Sequence, residues 1–450
     1  MVYQVSQNIN NNKLFIVQRS EIEGRLDPKM ALYNRKVQSS LYPKVRLKDI
    51  IVCKPQYGAG EPGIERKNVS DARYIRITDI DEYGLISHDD LGATADHIED
   101  KYILHENDIL IARSGNTVGK AYIHKSTPYD CFFAGYLIRF IVDKKKALPE
   151  YIFTFTQLNT YKDWVKAVQR PSGQPNINSE EYQSLEIPLP DIDKQQEIVD
   201  IINSAYLQKK QKESEARLLL DSIDTYILNE LGITLPEIKT DLESRLFLSS
   251  FKEITGNRLD PYYKLYFNNS YKSVKYDSLH LGNIADVCKG TALTSKDIIS
   301  GNIPVIAGGK SSPYSHNVAN FMGNVITVSA SGAYAGYVWY HENPIFATDC
   351  SVIVSKDESI FLTIYIAEVL KSLQSIIYRL QVGAAQPHVY PADLMNIYIP
   401  SISLSQQKTI VENISRIRQQ AKQLQEEGKT ILENVKKEVE QMIIGNHRRR

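Results

Sequence analysis

The sequence predicts an α+β protein built as a pseudo-two-fold internal repeat, in which two β-rich globular domains are separated by two long helices forming an antiparallel coiled coil. Three repeated features predict this fold, because self-similarity in a constant order indicates a duplicated architecture. They are the tetrapeptide RLDP at 25–28 and 258–261, a Ser-Gly turn at 114–119 and 331–336, and a proline-free segment closing each half at 193–231 and 405–445.

Length and composition indicate a globular protein with a sizeable core. The chain has 450 residues, of which 42% are hydrophobic, and this length corresponds to roughly two to four domains. The polar start has no signal-peptide core, no apolar run reaches the roughly 18 residues of a membrane helix, and the four cysteines form no CxxC pair. We therefore expect a soluble, cytoplasmic protein with no membrane contact, no metal site and no disulfide framework.

The charge balance limits the kind of nucleic-acid binding that is plausible. The 53 basic and 53 acidic residues cancel, whereas proteins that coat nucleic acid by bulk charge are strongly basic. This excludes a coating protein but leaves room for a specific reader that works inside a larger complex.

Each half opens with a helix signal and continues as short strands. Asp27 and Pro28 suit the N-cap and first position of a helix, and residues 29–37 and 262–270 are compatible with short helices. Alternating β-branched, aromatic and polar residues then predict strands. In the first half these are KVRLKDIIV, ARYIRITDI, NDILIARSG, KAYIHK and GYLIRFIVD, and in the second NIPVIAGG, NVITVSASG, GYVWYH and CSVIVSK.

The repeated Ser-Gly turn predicts a hairpin in each half. Gly115 and Gly119 correspond to Gly332 and Gly336, and glycines at this spacing favour positive φ. We expect the residues between them to stand at exposed tips. A helix follows in each half, then a polar loop with Gln174-Pro175 or Gln386-Pro387, and then a closing strand at 185–190 or 395–400.

The two proline-free segments predict long helices that pair. In the second, apolar or small residues recur in steps of three and four, which indicates a coiled-coil seam. In the first, Lys209 and Lys212 interrupt the seam, but 198–205 and 216–227 are amphipathic. We expect an antiparallel pair holding the globular parts at opposite ends. The predicted seam positions are 410, 414, 417, 421, 424, 428, 431, 435, 439 and 442.

These elements define five predicted regions. They are a first domain at 1–190, a first long helix at 191–235, a second domain at 236–400, a second long helix at 401–445 and a basic tail at 446–450.

No motif supplies catalytic chemistry. GAGEPG at 58–63 fits the dinucleotide pattern GxGxxG, but Pro62 lies inside the loop and no apolar helix follows. NPIF at 343–346 resembles an amino-methyltransferase motif, but it lacks the second proline. We therefore expect no catalytic residues and no cofactor in this chain.

The ordered series YIRITDI…NDILIARSGNTVGKAYI…GQPNI…IPLPDIDKQQEIVDII resembles the target-recognition domain and following helix of specificity subunits of Type I restriction–modification systems. The second half repeats it with VITVSASGAYAGYVWY…AAQPHV…IYIPSISLSQQKTIVENI. The resemblance covers about residues 20–445. The second recognition domain is shorter and its NIPVIAGG is a looser match, so we expect the two domains to read different half-sites.

The resemblance implies a non-catalytic DNA-recognition subunit. Such a subunit reads a bipartite, asymmetric sequence in double-stranded DNA, one half-site per domain. It recruits two modification subunits, which carry AdoMet and methylate adenine, and through them restriction subunits that use ATP and Mg. The long helices would set the gap between half-sites and bind the modification subunits.

Polar loop residues are the candidates for base contacts, because Arg and Lys can donate to guanine while Asn and Gln pair with adenine. In the first domain the candidates are Lys54, Gln56, Tyr57, Asn116, Thr117, Lys120, Arg170, Gln174 and Asn176. In the second they are Lys289, Thr291, Lys310, Ser312, Tyr334, Arg379, Gln381 and His388. Each is also compatible with an ordinary solvated loop residue, and Gln174 and Gln386 are compatible with holding their loops.

Two other functions are also compatible with the sequence. A coiled-coil scaffold that binds only proteins would lack sequence-selective DNA binding in its complex. The specificity subunit of a Type IIB-like system would look the same as a Type I subunit, and neighbouring genes or ATP dependence of cleavage would separate the two.

Overall fold

The computed structural model describes residues 28–37, 40–86, 91–169, 175–236, 271–294, 296–312, 314–383 and 385–445. Both RLDP motifs apart from Pro28, the predicted helix at 262–270 and the basic tail at 446–450 lie outside these residues. The chain divides into two compact units: unit 1 comprises 1–211 with 426–450, and unit 2 comprises 212–425. Each unit therefore includes part of both long helices, whereas the regions predicted from the sequence separate the two long helices from the globular domains.

Where the structure describes them, the predicted helices occur in the predicted order. Helix α1 begins at Pro28, the position that the fixed φ of proline favours. The helices are α1 (Pro28–Val37), α2 (Pro149–Gln157), α3 (Asn159–Val168), α4 (Ser179–Gln183), α5 (Ile192–Leu231), α6 (Leu281–Ile284), α7 (Thr363–Ser372), α8 (Gln374–Tyr378), α9 (Pro391–Leu394) and α10 (Leu404–Ile444).

The single helix predicted after the strands is broken into two helices in both halves. Leu158 separates α2 from α3 in an extended conformation, with φ −81° and ψ 157°, and Leu373 separates α7 from α8. Both leucines are buried, and the Thr160 amide at the start of α3 donates to the Glu440 carboxylate. The apolar spacing continues across each break, so periodicity does not reveal it.

The strands of unit 1 form three sheets. They are β1 (Lys44–Arg46), β2 (Gln56–Tyr57), β3 (Ile64–Glu65), β4 (Arg73–Ile75), β5 (Ala93–Thr94), β6 (Ile109–Ala112), β7 (Ala121–Ile123), β8 (Cys131–Phe133), β9 (Leu137–Phe140) and β10 (Glu186–Pro188). One sheet has the antiparallel order β2-β9-β6-β7, a second has the order β3-β5-β4-β8 with β4 and β8 parallel, and β1 pairs with β10.

The strands of unit 2 repeat this topology. They are β11 (Ser278–His280), β12 (Ala285–Lys289), β13 (Ile303–Ile306), β14 (Tyr314–His316), β15 (Val325–Ser329), β16 (Val338–His341), β17 (Phe346–Ala347), β18 (Cys350–Ser355) and β19 (Tyr398–Pro400). The order β12-β18-β15-β16 matches β2-β9-β6-β7, the parallel pair β13–β17 matches β4–β8, and β11–β19 matches β1–β10. The predicted internal repeat is therefore confirmed, and the difference lies in the second sheet, which has the four strands β3-β5-β4-β8 in unit 1 and the three strands β14-β13-β17 in unit 2.

The long helices α5 and α10 have 40 and 41 residues, and they pair antiparallel. In unit 1, Ile198 and Ile202 near the start of α5 share a core with Val439 and Ile443 near the end of α10. In unit 2 the opposite ends meet: Ile223, Ile227 and Leu231 of α5 share a core with Ile410 and Ile414 of α10. The antiparallel arrangement expected from the sequence is confirmed.

The seam of α10 includes the predicted positions and is wider towards the C-terminal end of the helix. Ile410, Ile414, Ala421 and Val439 are buried as predicted, and Val435 and Met442 are half-buried against the core, while Leu432, Lys436 and Ile443 beside them are buried as well. Lys436 occupies a core-facing position because its ammonium lies 5.1 Å from the Tyr83 ring centre and 3.3 Å from Glu433 Oε1. Sequence patterns assign lysine to the surface and therefore do not predict this buried position.

Candidate nucleic-acid interface

The two Ser-Gly hairpins are built from the same backbone hydrogen bonds. The Gly115 amide donates to Pro175 O at 3.0 Å, and the Gly332 amide donates to Pro387 O at 3.0 Å. All four glycines predicted to have positive φ do so, between 81° and 91°. The end of each polar loop is thereby fixed beside its hairpin, which brings Asn176 next to Ser114 and His388 next to Ser331.

The residue before each Ser-Gly pair is hydrogen-bonded through both its backbone amide and its backbone carbonyl. The Arg113 amide donates to Tyr136 O at 3.0 Å, and Arg113 O accepts from the Ile177 amide at 2.9 Å. In unit 2 the Ala330 amide donates to Asp349 O at 3.2 Å, and Ala330 O accepts from the Val389 amide at 3.0 Å. Arg113 and Ala330 are therefore equivalent, as are Tyr136 and Asp349.

A glycine at the end of the first strand of each main sheet allows close backbone approach. A Cβ on Gly58 would lie 2.3 Å from Ala134 O, and one on Gly290 would lie 2.2 Å from Thr348 O. Only glycine fits at such a position. This explains the first glycine of GAGEPG without a dinucleotide, and it makes Tyr57 and Lys289, the preceding residues, equivalent.

An open cleft in unit 1, called cleft 1, lies beside its hairpin. It is lined by Ala59, Gly60, Glu61, Gly63, Tyr74, Arg76, Ile77, Thr78, Arg113, Ala134, Gly135 and Tyr136. The guanidinium carbon of Arg113 lies 4.9 Å from the ring centre of Tyr57. Partial burial acts to raise the pKa of Tyr57, but hydrogen bonds with Ser179 and the nearby Arg113 charge lower it overall. Cleft 1 thus combines a stacked cation with exposed aromatic surface.

A corresponding cleft in unit 2, called cleft 2, has different chemistry. It is lined by Lys289, Gly290, Ala292, Leu293, Thr294, Ala330, Thr348, Asp349, Cys350, Ser351, His388, Val389, Tyr390 and Pro391. Three equivalent pairs of positions line both clefts: 113 and 330, 134 and 348, and 136 and 349. Ser331 Oγ donates to the Asp349 carboxylate, and His388 stacks on Tyr390 with ring centres 6.2 Å apart.

Several sequence-predicted candidates have side chains that are engaged within the fold. Gln56 donates to Lys101 O at 3.1 Å and accepts from Arg139. Lys120 donates to Ile80 O, Ser312 donates to Val305 O at 2.9 Å, and Gln381 donates to Ala335 O at 2.8 Å. These four side chains hold strands and turns in place.

The remaining described candidates lie at the surface or are half-buried. Asn116 and Thr117 stand exposed at the first hairpin tip, and Tyr334, 44% exposed, stands at the second. Lys310 lies 4.7 Å from the Tyr334 ring centre. Lys54, Asn176, Lys289 and Thr291 are exposed, and His388 and Arg379 are half-buried. Arg170 and Gln174 lie outside the described residues.

Arg113, Tyr136 and Asp349 were not among the sequence-predicted residues, although they line the clefts. The repeat offers a sequence signal for Arg113: Arg113 immediately precedes one Ser-Gly pair, whereas Ala330 precedes the other, so the two halves differ at this position. Tyr136 and Asp349 become equivalent only through their backbone bonds to these residues, which no sequence pattern shows.

The described part of the chain holds no cluster of three or more His, Cys, Asp or Glu side chains arranged for a metal ion. Cys131 and Cys350 are buried thiols, while Cys53 and Cys288 are exposed thiols. Across the same residues, every helix is too short or too polar to cross a lipid bilayer.

Comparison with known proteins gives a consistent family. A family model described as Type I restriction modification DNA specificity domain matches residues 42–216 and 273–434. The Type I restriction enzyme MjaVIII specificity subunit of Methanocaldococcus jannaschii is 21% identical over 372 residues, covering 76% of this chain and 79% of that protein.

Two solved structures are also similar. The S subunit of a Type I restriction–modification system from M. genitalium is 14% identical, with a TM-score of 0.43 over 89% of this chain and 96% of that chain. A chain from a structure describing complex assembly and conformational transition of the type I R-M system is 13% identical, with a TM-score of 0.49 over 88% of this chain and 95% of that chain.

Proposed function

Because the chain belongs to the Type I restriction–modification DNA specificity family and is a specificity subunit, we propose that it reads a bipartite, asymmetric DNA target with one half-site for each of its two units. The single observation that carries this proposal is a backbone frame built twice with different side chains at equivalent positions. The pairs are Tyr57 and Lys289, Arg113 and Ala330, Tyr136 and Asp349, and Asn176 and His388.

This pattern fits recognition of two different short sequences. A shared frame presents the same surface to a duplex in each unit, while base edges are read by the side chains that the frame carries. If the two units read the same sequence, equivalent positions would carry similar donors and acceptors. They carry instead a cation and an apolar methyl at 113 and 330, and a phenol and a carboxylate at 136 and 349.

The exposed residues of each frame are the proposed DNA contacts. In unit 1 these are Lys54, Tyr57, Asn116, Thr117 and Asn176, and in unit 2 they are Lys289, Thr291, Lys310 and Tyr334, together with the half-buried His388. Gln56, Lys120, Ser312 and Gln381 support the frame through the hydrogen bonds described above. Losing one of these four should therefore act through stability rather than through base preference.

The partners follow from the family and from the charge of the chain. A net charge of zero leaves much of the phosphate contact to other subunits, since phosphate neutralisation depends on Lys and Arg. We propose that two modification subunits bind AdoMet, methylate adenine and clamp the backbone, and that restriction subunits use ATP and Mg. This chain would contribute recognition and no catalysis.

Selection from a random DNA library tests the proposal. The modification subunit would be incubated with the library alone and with the full chain, and retained or methylated sequences would be read by sequencing. We expect a two-part motif with a constant gap only when the chain is present. Enrichment of the same sequences without the chain, or no enrichment with it, would contradict the proposal.

A further inference from the structure

Arg113 is held at a well-supported position of the backbone. Its amide and carbonyl are both hydrogen-bonded, to Tyr136 and Ile177 at 3.0 and 2.9 Å. It directly follows β6, the central strand flanked by β9 and β7. Recognition groups act best when fixed on such a supported element rather than on an open loop.

The guanidinium of Arg113 is only partly satisfied by the protein. It lies over the Tyr57 ring at 4.9 Å, and its Nε is buried without a hydrogen-bond partner among the residues that the structure describes. The planar fork of a guanidinium that stacks on an aromatic face can donate two parallel hydrogen bonds to a planar acceptor.

The other charged residues of cleft 1 favour binding of a neutral base edge over binding of a phosphate. The Arg76 guanidinium is bound by Asp79 through two hydrogen bonds, at 2.9 and 3.1 Å. Glu61 lines the same cleft, and its carboxylate would repel a phosphate held there. A neutral base edge carries no such penalty, so the cleft favours the edge over the backbone.

The geometry points to Arg113 as the residue that reads a guanine in the half-site of unit 1, by donating two hydrogen bonds to the guanine O6 and N7. This inference rests on the proposed function. Guanine is the base that offers two adjacent acceptors in the major groove, and paired donation from arginine is its commonest specific contact. Tyr57 orients the guanidinium as a positioning residue.

Unit 2 lacks this device, because Ala330 occupies the equivalent position. Its cleft presents Lys289, Asp349 and His388 instead. The guanine read by Arg113 therefore belongs to one half-site only, and substitution of Arg113 should leave the other half-site unchanged.

The test compares base preferences of the complete complex of the full chain with its modification subunit. Wild type, Arg113→Lys, Arg113→Ala and Lys125→Ala would each select from a library randomised at both half-sites. Lys125→Ala is a matched control because it also removes one positive charge from unit 1. Lys125 pairs with Glu150 at 2.7 Å and lies outside cleft 1. Thermal melting of each complex would establish that the variants are folded.

We expect both Arg113 variants to lose preference for guanine at one position of one half-site, by roughly 5- to 150-fold. Lysine keeps the charge but lacks the planar fork that stacks on Tyr57 and donates two hydrogen bonds in fixed directions, so loss in the folded Arg113→Lys variant separates base reading from charge and folding. Lys125→Ala should keep every preference.

Retained guanine preference in folded Arg113→Lys and Arg113→Ala, or an equal loss across all sequences, would overturn the assignment. In that event a wild-type complex that still selects a bipartite motif leaves the proposed function standing. A wild-type complex that selects no motif would instead contradict the proposed function itself.

Discussion

The guanidinium of Arg418 donates two hydrogen bonds to the carboxylate of Glu368, at 2.8 and 2.6 Å, and so ties α10 to α7 within unit 2. Glu368 is buried, with 1% of its side chain exposed, and also accepts from Lys371 at 3.1 Å. Burial acts to raise the pKa of Glu368, but Arg418 and Lys371 lower it overall. Nearby Asp224 of α5 has a raised pKa because of its burial and the Glu368 charge.

Arg418→Ala should lower the free energy of unfolding by about 2–3 kcal/mol. Breaking a fully buried pair costs about 3–5 kcal/mol, and the Arg418 side chain is 40% exposed, which reduces the effect. Chemical denaturation near pH 7 would measure it. Arg416→Ala is the control, since Arg416 is exposed and donates to Asn413 one turn away, and should cost less than about 0.5 kcal/mol. Equal effects for both variants would contradict the role of the Arg418 pair.

Gln195→Leu and Gln407→Leu should each cost about 1–3 kcal/mol, because each buried amide satisfies backbone groups that leucine would leave unpaired. Gln195 accepts from the Leu148 amide and donates to Pro190 O, both at 2.8 Å. Gln407 accepts from the Leu362 amide at 2.9 Å and donates to Ile402 O at 3.0 Å. Denaturation of the single variants and of exposed Gln196→Ala would test this, and a cost for Gln196→Ala as large as for Gln195→Leu would reject it.

Gly119→Ala should destabilise the protein more than Gly332→Ala, although the two glycines have nearly the same φ, +86° and +84°. A Cβ on Gly119 would lie 2.7 Å from Val165 Cγ2, whereas one on Gly332 would meet nothing within 4 Å. We expect about 1–2 kcal/mol for strain alone at Gly332 and a further 1–3 kcal/mol or so from overpacking at Gly119. Thermal unfolding of Gly119→Ala with and without Val165→Ala isolates the cost of overpacking. This cost should be smaller in the double variant, because Val165→Ala removes the methyl groups that the new Cβ would meet.

The free energy of unfolding should fall as the pH is lowered from 6.5 to 5, because of His341. Burial, with a contribution from Lys371, lowers the pKa of His341 to about 4, and its Nε2 is 2.8 Å from Thr327 Oγ1. The unfolded chain therefore takes up a proton below pH 6.5 that the folded chain refuses, which costs about 2 kcal/mol by pH 5. The variant His341→Gln should show a shallower pH dependence by this amount. The same slope in both proteins would show that another group is responsible.

Sequence patterns predicted the repeat, most strands, both hairpins and the antiparallel helices because each leaves a local signature. Positive φ at Gly115 or Gly332 follows from residue spacing, and the buried faces of α5 and α10 follow from helical periodicity. The breaks at Leu158 and Leu373 and the burial of Lys436 have no such signature, since they depend on what the side chains contact in the folded chain.

The candidate site was less accessible to sequence reasoning for the same reason. The side chains of Gln56 and Lys120 look available in the sequence, yet they bond backbone carbonyls of residues 45 and 40 positions away. Arg113 looks like part of a strand, yet it lines an open cleft beside the hairpin. Whether a polar side chain supports the frame or faces a ligand is decided by contacts distant in sequence.

The central claim is that each unit reads its own half-site. It is tested most directly with two double variants of the chain in the complete complex. One carries Asn116→Ala together with Thr117→Ala, the other carries Lys289→Ala together with His388→Ala, and the DNA motif that each complex selects is compared with that of the wild type. The account predicts that the first pair of substitutions alters one half of the target, the second pair alters the other half, and the gap stays the same. If both pairs altered the same half, or if either pair changed both halves together, the two-reader account would be wrong.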